Sequence, residues 1–217
     1  MVFTISESRM VSKRIKKTLN RWKRYHKISD AGKITRRYFV MNAFDGALTI
    51  LGVIIGAYVS GILDKSSIII SAGIAGSIAM GMSGVSGAYM TEKAERKKRL
   101  KELEKAMLTD MKDGLHDKSH RFASVFAAII DGVSPTIVAM CIISPFFIQK
   151  LGILSYEMAF FICILITMII LLFLGFYLAK ISDESMIKYG IQMLLVGLIT
   201  AFLCVGISII LSGHSPI

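Results

Sequence analysis

Five apolar runs dominate the pattern of hydrophobic and polar positions, at approximately residues 38–61, 67–91, 122–149, 157–180 and 189–211. Each reaches the roughly 20 residues that a helix needs to cross the ~30 Å hydrocarbon core of a bilayer. Helices are expected because a helix satisfies its own backbone hydrogen bonds where no water is present. The predicted fold class is all-α: a polytopic membrane protein with five transmembrane helices. Residues 1–37 form a basic amphipathic arm and 38–91 hold helices one and two. Residues 92–121 are a helical cytoplasmic connection, 122–211 hold helices three to five, and 212–217 are an external tail.

Within these runs the polar positions are few and ordered. In the first, Asn42, Asp45, Thr49, Gly52 and Gly56 follow one another at spacings of 3, 4, 3 and 4, which puts them on one stripe of a helix. Asp45 lies about 12 Å in from Arg37 at helical rise, close to the midplane. A carboxylate there costs roughly 2.5–3.5 kcal/mol unless it is paired, protonated or facing water, so the stripe is expected to face protein or a wet path. The second run has glycine at 73, 76, 81, 84 and 87 with Ser71, Ser77, Ser83 and Ser86 among them. Small residues at this density let helix backbones approach closely, and a tight helix contact is the plain reading. Met80 and Met82 are either filler or soft metal ligands.

The third run carries a second acid, Asp131, about 15 Å past Arg121 at helical rise. FDGALTI in the first run and IDGVSPTI in the third differ by one inserted residue, which suggests an internal repeat setting two Asp-Gly elements at similar depth. Pro135 removes a backbone hydrogen bond just after Asp131, and interrupted helices at membrane depth often line substrate sites. A proline kink beside a structural aspartate is the other reading.

Charge fixes the expected orientation. Residues 1–37 carry twelve of the twenty-six Lys and Arg, and the connections between successive runs carry one, ten, one and two. The positive-inside rule then places the N-terminus and the 91–121 connection in the cytoplasm and the C-terminus outside. In the arm, Val11, Ile15, Leu19, Trp22 and Tyr25 share one face among many bases, the pattern of a helix lying on anionic lipid. A calmodulin-target or nucleic-acid-binding helix has the same signature, and the adjoining span favours lipid. The formal charge of +11 is therefore assigned to topology, and nucleic acid is not expected as a partner. The arm lacks the apolar segment of a signal peptide and is read as mature protein. With 54% hydrophobic residues and a mean hydropathy of +0.63, the composition agrees with a membrane protein, here of the cell membrane. Cys141, Cys163 and Cys204 sit inside apolar runs without metal-ligand spacing and imply neither disulfides nor zinc.

The 91–121 connection looks helical to about Met111, with Leu100, Leu103, Met107 and Met111 on one face. Glu92, Glu95, Glu102 and Glu104 alternate with bases, as in a solvated helix held by i,i+4 pairs. Asp113, His116, Asp117 and His120 recur at i, i+3, i+4 and i+7. On a helix they would line a site for Fe, Mn or Zn, whereas Gly114 favours a loop with solvent-exposed histidines.

The segment AGIAGSIAMGMSGVSGAYMT (72–91) resembles the second-span motif of the vacuolar iron transporter family, with Ala72, Gly73, Ala75, Ala79, Ser83, Gly87 and Tyr89 falling on it. Asn42-Ala43-Phe44-Asp45-Gly46 is similar to the family's Gly-Ala-Asn-Asp-Gly, and the last run resembles its closing helix. The resemblance implies a five-span homodimer carrying Fe2+ or Mn2+ out of the cytosol. It also implies that Gly84 and Ala88 stand where the family has a motif methionine and glutamate of the metal path. Asp45 keeps the family's aspartate, and the family's glutamate-rich cytosolic helix is basic here. Met80, one turn before Gly84, lies on nearly the same helix face.

The function expected is transport of a divalent metal, Fe2+ or Mn2+, out of the cytosol by proton antiport, with no prosthetic group. A carboxylate inside the bilayer can carry either a proton or a cation. Asp45 would be the principal ligand and proton carrier, Asp131 the second carboxylate and Met80 auxiliary, with Asn42, Thr49 or the partner chain completing the site. Glu92, Glu95, Glu102, Asp113, His116, Asp117 and His120 are weaker cytoplasmic candidates. The alternative is a non-transporting scaffold or partner-binding protein of the same shape. An enzyme is not expected, since no nucleophile and base pair or HExxH motif is visible.

Overall fold

The computed structural model describes residues 31–61, 66–108 and 115–212. They form five helices and no strand: α1 (Ala31–Val59), α2 (Ser66–Met107), α3 (Leu115–Lys150), α4 (Tyr156–Ser182) and α5 (Met186–Ser212). Each is long and apolar enough to cross a membrane. The described residues thus make an all-helical, multi-pass membrane protein. Residues 1–30 of the amphipathic arm, Met111 and Asp113 of the connection, and the tail from 213 lie outside them.

The helices exceed the apolar runs. α2 does not stop at residue 91 but continues to Met107, where Leu108 takes a left-handed backbone (φ 51). At about 1.5 Å per residue it is roughly 63 Å long, twice the hydrocarbon core, so its charged half must lie beyond the lipid tails. α3 is one unbroken helix through both Pro135 and Pro145, so the expected interruption after Asp131 is absent. The backbone satisfies the loss locally. Pro145 strips the Cys141 carbonyl of its helical donor, and the Ser144 hydroxyl donates to that oxygen at 2.7 Å. α4 is framed by an ordinary cap at each end: Ser155 accepts from the Met158 amide, and left-handed Asp183 returns its N–H to Ala179.

The chain divides into two compact units. The larger comprises Tyr38–Val85 and Ile130–Ile217. Its core is built by Ala43, Ala47, Ile50 and Ile54 of α1, Ile69 of α2, Ile142, Ile143 and Phe146 of α3, and Cys163 and Leu171 of α4. Tyr58 stacks on Phe160 at 4.0 Å between ring centres. α5 joins α4 where Gly175 meets Gly190: a Cβ on Gly175 would lie 2.8 Å from the Gly190 Cα. Otherwise α5 leaves most of its side chains exposed. Because lipid tails are as apolar as leucine, such small-residue contacts rather than hydrophobic burial hold these helices together.

The smaller unit includes Ser86–Ile129. Its buried stripe on α2 is Ala88, Glu92, Arg96 and Leu100, one residue per turn. Leu103 and Met107, expected to share a face with Leu100, are exposed. Helical rotation keeps them in the same angular sector as the stripe, so what separates them from it is position along the axis: both lie beyond Leu100, the last buried residue of α2.

Candidate functional site

Three helices of the larger unit meet around Asp131, and small residues are what let them. A Cβ on Gly46 of α1 would fall 2.8 Å from the Cα of Pro135 in α3. One on Gly81 of α2 would fall 2.8 Å from the carbonyl oxygen of Gly132. No side chain fits at either crossing. Thr136 ties α2 and α3 further, sharing its hydroxyl proton between the carbonyls of Ser77 and Gly132, both at 3.2 Å. Of the α2 glycines, 73 and 81 make close helix contacts, while Gly76 and Gly87 meet nothing within 4 Å.

Asp131 is buried, with 5% of its surface exposed. Its Oδ1 accepts from the Asn42 amide, which also donates to the Tyr38 carbonyl at 3.2 Å. Its Oδ2 lies over Gly84, where an added Cβ would be 3.0 Å from it and 3.3 Å from the Asp131 carbonyl oxygen. That carbonyl is also the one four residues before Pro135, so its ordinary helical donor is missing. The neighbouring hydroxyls are engaged elsewhere: Ser134 donates to Ile130, and Thr136 to Ser77 and Gly132. Asp131 therefore offers a carboxylate oxygen and a donor-poor carbonyl toward one glycine of α2.

Asp45 and Thr49 are exposed on the single chain, and Met80 is half-buried. Asp45 lies one helical turn beyond Asn42, which holds Asp131, and beside Gly46, which meets Pro135. The two Asp-Gly elements that look alike in sequence thus differ in setting: one acid is buried and hydrogen-bonded, the other open. Among the described residues no three His, Cys, Asp or Glu side chains converge, so a cation here would take two carboxylates together with neutral amide, carbonyl or hydroxyl oxygens. The chain pattern signalled both acids and Asn42. It did not reveal that the Asp131 carbonyl and carboxylate share one direction, because that depends on how α2 crosses α3.

The smaller unit disposes of its candidates differently. Glu92 is buried and paired with Arg96 at 3.1 Å, and Glu95 pairs with Arg99 at 2.7 Å on the surface. Glu102 is exposed. His116, Asp117 and His120 fall on helical backbone in α3, their side chains lying outside the described residues with Asp113.

The sequence pattern of the VIT family matches residues 36–118 and 101–208, which takes in all five spans. The chain belongs to the VIT family. Its members are generally membrane transporters of metal ions. An uncharacterized protein of Methanocaldococcus jannaschii is 38% identical over 178 residues, covering 80% of this chain and 88% of that one. The resemblance drawn from the second-span motif is thereby upheld at the level of the family.

Proposed function

We propose that this VIT-family chain is a homodimeric carrier that moves Fe2+ or Mn2+ out of the cytosol in exchange for protons. It would lie in the cell membrane with its N-terminus cytoplasmic and its C-terminus outside. The observation that carries the reading is Asp131, a buried mid-span carboxylate aligned with its own proline-freed carbonyl over Gly84. Oxygen donors of this kind suit hard or borderline divalent ions. Asp45 supplies the second carboxylate, and Asn42 holds the first in place.

Exposure of Asp45 on a single chain supports a dimer. A charged group near the middle of a span does not face lipid without a large cost, so a partner chain or a water path covers it. A divalent cation bound by two carboxylates displaces the protons they carry, and this exchange couples the two fluxes.

A second reading, a scaffold that binds partners and moves no ion, is favoured by one observation: Glu92 is consumed in a buried ion pair, so the α2 extension offers little free carboxylate. Uptake of Mn2+, Fe2+, Co2+ and Zn2+ into proteoliposomes, with and without a pH gradient, separates the readings. Flux accelerated by the gradient and lost in both Asp45→Asn and Asp131→Asn is expected. Undiminished flux in either mutant removes that aspartate from the path, and no flux for any ion in folded, oriented protein leaves the scaffold.

A further inference from the structure

The smaller unit contains a cavity of about 660 Å³, lined by residues to which the transport proposal gives no part. Two helix stripes enclose it. Lys93, Arg96, Lys97 and Lys101 project from α2 at spacings of 3, 1 and 4, one face of the helix, opposite Arg121 on α3. Among the described residues the lining has one acid, Glu104, and Glu92 behind the wall pairs with Arg96, so bases outnumber acids by five to two. Like charges gathered around a partly enclosed space repel one another more than they would in open water. An anion in the cavity offsets that repulsion.

The rest of the wall narrows the choice of anion. Tyr89, Leu100 and Val125 give it an apolar side, with the Lys93 ammonium 5.3 Å from the centre of the Tyr89 ring. Arg96 is anchored by its pair with Glu92, so its position is set before any ligand arrives. Tyr89 closes the apolar half of α2 and Arg121 opens that of α3, so the cavity lies at the depth where lipid tails give way to headgroups. Its volume falls within the roughly 300–1,000 Å³ of ordinary ligand sites. Basic pockets between helices at this level suit phosphate-bearing headgroups.

We propose that this cavity is a binding site for a phosphate group, carried by an anionic phospholipid whose tail runs along the Tyr89 and Val125 side. Free phosphate shares the chemistry but has no use for the apolar wall. The site stands independently of the transport reading.

Native mass spectrometry of the purified full-length chain tests it, with phosphatidylglycerol, phosphatidylcholine and inorganic phosphate as probes. Phosphatidylglycerol is expected to be retained at least tenfold more tightly than phosphatidylcholine. The double change Lys97→Gln/Lys101→Gln should weaken it by about 25-fold, roughly fivefold for each charge near an anionic lipid. The control Lys98→Gln/Lys105→Gln removes the same charge from exposed positions of α2 outside the cavity and should change it less than twofold. Inorganic phosphate that binds with the same dependence on Lys97 and Lys101, and displaces the lipid, keeps the site and assigns it to the soluble ion. Equal loss in both double mutants, or equal retention of the two lipids without phosphate binding, overturns the proposal. Circular dichroism and size-exclusion profiles matching the native chain establish that the variants are folded.

Discussion

Replacing Gly132 by alanine should loosen the crossing of α2 and α3 on which the candidate site depends. The new Cβ would sit 2.5 Å from the Gly81 carbonyl oxygen and 2.3 Å from Cγ2 of Val85. Ordinary contact begins at 3.4 Å, so the two backbones must part by about 0.9 Å. Val85 can rotate away; the Gly81 backbone, in mid-helix, cannot. Overpacking costs about 1–3 kcal/mol, and rigid backbone on both sides puts this case near the upper end. Alanine returns about 0.5–1 kcal/mol of helix propensity. The net loss is about 2 kcal/mol, or roughly 4–8 °C in melting temperature for a chain of this size.

Gly76→Ala is the matched control, since nothing lies within 4 Å of its Cβ position. It should be neutral or raise the melting temperature by a few degrees, on the order of the propensity gain alone. Thermal unfolding in detergent, followed by labelling of the buried Cys163 thiol as the helices separate, measures both. Metal uptake should fall only in Gly132→Ala, because the displaced residue adjoins Asp131. If both substitutions move the melting temperature by similar amounts in the same direction, close backbone approach does not hold this crossing.

Pro135→Ala returns a donor to the Asp131 carbonyl and should lower metal uptake at least tenfold while the protein stays folded; Pro145→Ala, whose freed carbonyl is already covered by Ser144, should leave uptake unchanged. Asn42→Ala removes the amide on Asp131 Oδ1 and should raise the KM for metal more than it lowers the maximal rate, read from concentration series in proteoliposomes. Arg96→Ala takes a buried charged partner from Glu92 and should cost at least about 1.5–3 kcal/mol. Arg99→Ala breaks only an exposed pair and should cost under about 1 kcal/mol, a contrast that denaturation of the two variants measures directly.

Much of the architecture was legible along the chain because the bilayer imposes it. A run of about 20 apolar residues has one economical conformation in lipid, so five runs meant five helices, and the glycine and serine spacing of α2 marked it as a packing helix. Family membership was equally local, carried by residues 72–91 and the Asn-Ala-Phe-Asp-Gly of α1. Helix ends were less so. Nothing in hydropathy stops α2 at residue 91, since the charged residues that follow are good helix formers and lose only lipid.

What tertiary structure decided is which of two similar acids is buried and which glycines matter. Asp45 and Asp131 both precede glycine in an apolar run, yet only Asp131 is enclosed, since Gly46 brings α1 onto Pro135 and Gly81 brings α2 onto Gly132. Gly76 and Gly81 are indistinguishable in composition, and only the crossing angle of α2 over α3 selects the second. Likewise the bases of the α2 extension read as a solvated face until Arg121 of α3 was set opposite them. Periodicity determines which side chains share a face; what that face meets is a property of another helix, far away in the chain.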